Sequence, residues 1–301
     1  MTSRELPGHI QAAIQKNLAR QHRSEDGRPA DSAGQAWEGR DLSGTGIDGS
    51  ANPLHAFDKD DGLASAAWIE ASERFISGVA DEAEVVAALS NVRVFATVVP
   101  TLAEESTHEV AAEDGVHVHG DKQADVALVT LQAADGRRAM PVFTSVPAMT
   151  AWHTEARPVA TWMPRACLSA VDEGSDLVVI DPGQELTFVV RRPAVWSLAQ
   201  QRKWVPSYQD ETLAADLHDI VSLVPGLQRL ALAPGRGVAT RLKSGGLVNG
   251  GGSGPELNII ATPEDGTDAT GHRLMLATLQ QLLSQVTSLS ERADSVEISL
   301  G

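Results

Sequence analysis

Residues Asp125–Trp196 read DVALVTLQAADGRRAMPVFTSVPAMTAWHTEARPVATWMPRACLSAVDEGSDLVVIDPGQELTFVVRRPAVW. Apolar runs of strand length alternate here with short helical patterns, and turn residues mark the joints. The Asp135-Gly136 pair predicts a hairpin that joins a strand over 124–131 to one over 138–143. Ser145 is placed to cap a helix over 146–154, with Pro147 in its first turn. A short strand over 157–162 and a helix over 164–173 follow, the helix stopped by Gly174. Strands over 177–180 and 186–190 flank the turn Asp181-Pro182-Gly183-Gln184, and Pro193 opens a helix carrying Trp196 and Leu198. Strands and helices are mixed in order rather than strictly alternating, so the expectation is α+β, a mixed β-sheet with flanking helices. The stretch holds no nucleophile elbow, phosphate loop or metal-ligand spacing. It specifies a fold far better than an activity.

Asp125 to Val129, Asp135-Gly136-Arg137-Arg138, Pro141-Val142-Phe143-Thr144-Ser145, Trp152, Ala156-Arg157-Pro158 and Leu177 to Pro182 resemble the N-terminal domain of the SseB family, named for enhanced serine sensitivity. The resemblance runs from about Val92 to Leu198. The layout, a long polar head before the domain and an extra segment after it, is similar to the actinobacterial members. That family has no established biochemical activity, so the resemblance implies a fold and carries over no catalytic residue.

Working outward, residues 1–62 divide into a helix-compatible opening over 10–20 and a polar segment over 21–61. The latter is rich in Gly, Ser, Asp and Pro, with too little apolar surface to offset its ordering entropy. Its Leu42–Pro53 peptide is similar to one found ahead of the domain in SseB-like proteins. From Leu63 to Ser90 apolar residues recur at helical spacing, and Gly78 followed by Asp81 predicts two helices. The run 92–100 reads as a buried strand, and acidic residues over 104–121 as a loop. The SseB-like domain is thus expected over 63–205. A smaller αββαβ C-terminal domain is expected over 206–301, with helices over 210–223 and 269–289 and strands over 227–233, 257–261 and 296–300. The Gly-rich stretch between Gly235 and Gly254 is expected to be a mobile hairpin loop rather than a phosphate cradle, because a strand follows its glycines where a phosphate site needs a helix N-terminus.

The chain of 301 residues carries a net charge of −16. Between Asp61 and Gln123 twelve acidic residues face three basic ones. Such a field disfavours nucleic acid, and the basic pairs Arg191-Arg192 and Arg202-Lys203 are no stripe. Cys167 is the single cysteine, which excludes an intrachain disulfide and suits a reducing compartment. No run approaches the roughly 20 apolar residues that span a bilayer. The expectation is a cytoplasmic protein with no membrane and no nucleic-acid partner.

His117 and His119 share one side of an extended segment, with Asp121 or His108 as a third ligand, but no matching motif completes a metal site. No metal and no cofactor are therefore expected. Ser145 lacks the nucleophile-elbow context and reads as a helix cap. The candidate binding residues are Phe143, Thr144, Ser145, Trp152 and Arg157, polar and aromatic groups at element junctions. The reading is a non-catalytic protein that binds an as yet unidentified protein or small molecule. The alternative is an enzyme with a site assembled from Asp125, Arg138, Asp181 and Arg191 near strand ends.

Overall fold

The computed structural model describes Phe57 and residues 60–101, 125–133, 135–154 and 156–301. The polar head, its 42–53 peptide, the acidic loop and the His117-His119 pair lie outside the described residues. Two helices come first, α1 (Ala66–Ile76) and α2 (Glu82–Leu89). Ser65 caps α1 by accepting from Trp68 N–H at 3.3 Å. Asp81 and Glu84 close a reciprocal capping box on α2 (2.9 and 3.0 Å), which fixes the restart that Gly78 permits.

β1 (Arg93–Thr101) then opens the main sheet. β2 (Asp125–Leu128), β3 (Leu131–Gln132) and β4 (Arg138–Phe143) follow. The strand expected over 124–131 divides between two partners: β2 pairs with β1, and only β3 pairs with β4 across the Asp135-Gly136 turn. β1 and β4 touch directly at Phe95↔Phe143 and Ala96↔Val142 alone. The chain then runs through α3 (Val146–Trp152), β5 (Arg157–Trp162) and α4 (Met163–Asp172). It enters β6 (Leu177–Ile180), parallel to β4, and returns in β7 (Phe188–Val190), antiparallel to β6. β5 lies antiparallel along the whole of Arg93–Val98. Parallel and antiparallel pairs share this seven-stranded sheet, so the fold is α+β with a mixed sheet, as the order of signals implied.

α5 (Arg192–Ala199) completes the layer. One face of the sheet meets α1, α2, α4 and α5 in a core built on Phe75, Leu89, Val94, Val142, Met163, Ile180 and Leu198. The other face receives α3, through Phe95, Phe143 and Met149.

Beyond a 3₁₀ turn at Ser207–Gln209 come α6 (Glu211–His218), a second 3₁₀ turn and β8 (Leu227–Pro234). β9 (Ala239–Arg241) and β10 (Leu247–Gly251) pair as a hairpin. β11 (Leu257–Pro263), α7 (Ala269–Leu283), α8 (Thr287–Arg292) and β12 (Val296–Leu300) close the chain. The expected long helix over 269–289 is thus two helices. A three-stranded sheet, β12-β11-β8, packs Leu257, Ile259 and Ala261 against Leu213, Met275 and Leu279 of the helices. This is the αββαβ order with a hairpin inserted between β8 and β11.

That hairpin departs from the mobile loop expected of its glycines. Leu242 and Val248 belong to the main core, beside Phe75 and Phe188. The glycines permit close approach: a Cβ on Gly251 would lie 2.5 Å from the Phe188 ring, and one on Gly237 would lie 2.1 Å from the Gly254 backbone. Asp61–Gly301 accordingly forms one compact unit.

Candidate functional site

Thr144 and Asp181 face each other beyond the ends of the parallel pair β4 and β6. Asp181 is buried and held in the left-handed region at φ 49°, which lets its carboxylate turn back onto β4. Oδ1 accepts the Thr144 N–H at 2.8 Å, Oδ2 accepts the Thr144 hydroxyl at 2.6 Å, and the Trp68 side chain donates as well. Burial raises the Asp181 pKa, and these donors oppose the rise. Arg93 Nη1 donates to the Thr144 carbonyl at 2.7 Å while its guanidinium stacks 4.2 Å over Phe95. A carboxylate with three internal donors clasps α1 to the ends of two strands.

The sequence candidates therefore separate by burial. Phe143 and Thr144 are in the interior, and Ser145 caps α3 by accepting from Ala148 N–H at 3.2 Å. Trp152 packs half-buried on Phe143, ring centroids 5.4 Å apart. Arg157 is exposed on β5, which flanks β1 on the side away from β4. Of the ionisable alternatives, Arg138 and Arg191 lie at the end of the sheet where β6 begins, and Asp181 lies at the opposite end. Asp125 starts β2 opposite Thr101.

A second polar cluster joins the hairpin and the three-stranded sheet to the main core, and most of its members went unmarked in the sequence. Glu82, buried at the start of α2, accepts the Gly251 N–H (2.9 Å) and the Tyr208 hydroxyl (2.8 Å). Arg191, 1% exposed, donates to the carbonyls of Gly254 (2.7 Å) and Gly237 (2.9 Å) and contacts Asp294 at 3.4 Å, a carboxylate it shares with Arg137. Glu256 accepts from Ser207 N–H, Ser207 hydroxyl and Asp294 N–H. These groups are consumed by the protein itself. No signal along the chain marks them, because their partners are remote.

A groove of about 860 Å³ runs along the outer side of α4. Trp162, Pro164, Arg165, Leu168 and Asp172 line one wall, and Ala199, Gln201, Ser90 and Asn91 face them. Pro164 sits in the first turn of α4, where its missing N–H costs nothing. Gln201, at φ 54°, ends α5 against the groove. Leu168 is 52% exposed in the middle. Arg165 stands in the first turn of α4 and Asp172 in its last, each at the end where the helix dipole disfavours its charge. Neither has an ion-pair or hydrogen-bond partner among the described residues. The sequence predicts a helix over 164–173 and marks no site residue on it; Met163, Ala166, Cys167 and Ala170 fill its buried side.

Residues 70–197 match the family described as SseB protein N-terminal domain. That segment, somewhat under half of the chain, is an SseB N-terminal domain. The SseB domain begins within α1 and ends within α5, so it contains the whole mixed sheet, the Thr144–Asp181 clasp and all of α4. It starts earlier than the resemblance near Val92, taking in α2 as well. The hairpin and the three-stranded sheet lie outside it. Comparison with curated proteins and with solved structures gives no match. Among the described residues no group of His, Cys, Asp and Glu is arranged to hold a metal ion, and no helix is long and apolar enough to cross a membrane. Burial pushes the Cys167 thiol up to about 12, which leaves it uncharged at neutral pH.

Proposed function

We propose that this SseB-domain protein is a non-catalytic binding module that receives a segment of a partner protein in the groove along α4. The observation that carries the reading is the stripe Arg165, Leu168, Asp172. Its exposed apolar centre lies between two unpaired charges, both set against the dipole of their own helix. A local choice that works against helix stability is expected where a residue serves something outside the helix. The matching ligand has an apolar side chain for Leu168, an acidic group for Arg165 and a basic group for Asp172. Nucleic acid fits poorly with a net charge of −16, and the lone Cys167 suits a reducing cytoplasmic setting.

The test is a photo-crosslinking residue at position 168 in the full chain, expressed in cells, with Leu274 on α7 as an exposed control. A discrete adduct from 168 alone is expected. The pair Arg165→Glu with Asp172→Lys should lower its yield about ten-fold or more, since like charges then meet. The same pair should raise stability by about 0.3–1 kcal/mol per site, because both charges now agree with the dipole. Equal adducts from both positions, or an unchanged yield from the charge-reversed protein, would sink the proposal.

A further inference from the structure

We infer that two copies of this chain join through β12, antiparallel and edge to edge, making one continuous sheet from their two three-stranded sheets. Among the described residues β12 is an outer strand, paired only with β11. Leu257 N–H donates to the Ser295 carbonyl, and Gly301 N–H donates to the Ala261 carbonyl, each at 3.0 Å. In a parallel ladder alternate residues turn their amides to the same neighbour, so Ser295, Glu297, Ser299 and Gly301 serve β11. Val296, Ile298 and Leu300 therefore aim their N–H and C=O groups at the open edge, where the described residues offer them no partner.

Two edges of the main sheet are defended. β5 carries Pro158, which has no N–H to offer. Beside β7, the Thr240 hydroxyl of the hairpin donates to the Thr187 carbonyl at 3.1 Å, and Lys243 N–H donates to the Glu185 carbonyl at 3.0 Å. β12 has neither proline, lysine nor bulge, the usual means of blocking edge-to-edge pairing. Its one charge, Glu297, accepts from Arg236 N–H and Nε (2.8 Å each) and is turned to the sheet face.

The occupant follows from the self-complementarity of Val296-Glu297-Ile298-Ser299-Leu300. With the twofold axis at Ile298, Val296 stands opposite Leu300 of the second copy, and Ile298 stands opposite Ile298 of the second copy. In each of these pairs both residues present outward amides, so every pair exchanges two hydrogen bonds. Val296 and Leu300, 40% and 48% exposed, share the face of Leu257, Ile259 and Ala261, so apolar side chains meet apolar ones. On the other face Glu297 meets Ser299 of the second copy, and no like charges oppose. A slip of one residue sets outward amides against inward ones. A slip of two residues either faces Glu297 with itself or leaves Val296 unpaired. A strand that pairs best with its own reverse fits a closed, isologous dimer. This surface is separate from the α4 groove, and neither proposal depends on the other.

Sedimentation of the full chain over a concentration series should show a reversible monomer–dimer equilibrium. The dimer should strengthen as salt screens the repulsion between two chains of charge −16. Leu300→Pro removes an outward N–H and leaves the β11 ladder intact. Val296→Lys with Leu300→Lys places lysine opposite lysine at two exposed positions. Each should weaken dimerisation about ten-fold or more, with circular dichroism and melting temperature unchanged for the lysine pair. If the proline variant fails to fold, the lysine pair decides alone. A monomer at every concentration, a dimer that ignores the lysine pair, or β12 occupied by a different protein in material isolated from cells overturns the inference.

Discussion

Glu82 shows how much a single side chain can be decided by residues far away. Its neighbour Asp81 was legible as a helix start, since a capping box is written within four residues. Glu82 itself looks like any first-turn acid, and only Gly251, 169 residues along the chain, and Tyr208 make it a buried acceptor. Thr144 shows the same limit from the other side. Its place at a strand end suggested a ligand contact, but the donors and acceptors that use it are Asp181 and Arg93. Burial is the largest influence on Glu82 and raises its pKa above the ordinary 4.5, with the Gly251 and Tyr208 donors opposing. The folded state therefore holds the proton more tightly than the unfolded chain. The stability that Glu82 contributes is full below about pH 4.5 and is lost as pH rises through the higher folded pKa. Glu82→Gln, which keeps the shape and cannot ionise, should trail the native protein most at low pH, and the gap should narrow as pH rises. Urea midpoints of both proteins across pH 4 to 8 check this. A gap that widens with pH would mean that the ionised carboxylate is the favoured form.

At the scale of elements, what was legible was what local chemistry dictates. Ser145 caps α3, Gly174 at φ 66° ends α4, and Gly136 at φ 88° turns β3 into β4. The division of 125–132 between two partner strands was not legible, because it depends on β1 and β4 diverging after two pairs. The hairpin was misread for a different reason. A run of glycines predicts freedom when the surroundings are unknown, whereas here the missing side chains admit other groups: Phe188 against Gly251, and Gly254 against Gly237. Gly237→Ala should therefore cost about 1–3 kcal/mol through overpacking, because the obstacle is backbone that cannot rotate away. Gly245→Ala, a control whose Cβ would meet nothing within 4 Å, carries only the strain of φ 102°. Chemical denaturation of both variants distinguishes the cases. A Gly237→Ala protein no less stable than the control would return the hairpin to the status of a loose loop.

At the scale of the whole molecule, the decisive residue is Arg191. It follows β7 directly, and its guanidinium reaches Gly254, Gly237 and Asp294, so the last strand of the mixed sheet is tied to both ends of the hairpin insertion and to the approach to β12. Arg192 adds bonds to the carbonyls of Ser290 and Ala293 at 2.6 and 2.8 Å. In sequence this pair reads as a basic patch too short for a stripe, with Arg191 an ionisable candidate near a strand end, since nothing nearby explains a buried guanidinium. Arg191→Met removes the charge and nearly keeps the volume, but it leaves two buried carbonyls without their donor and Asp294 dependent on Arg137. Breaking a buried pair from one side costs about 3–5 kcal/mol. The loss falls on the joint rather than on either core, because the apolar clusters around Ile180 and around Ile259 are untouched. Native protein from Asp61 to Gly301 should unfold in one calorimetric transition. Arg191→Met should lower it and separate the melting of the three-stranded sheet from that of the SseB domain. A variant that melts lower but still in one sharp step would show that Leu242 and Val248, packed in the main core, couple the two sheets without help from the arginine.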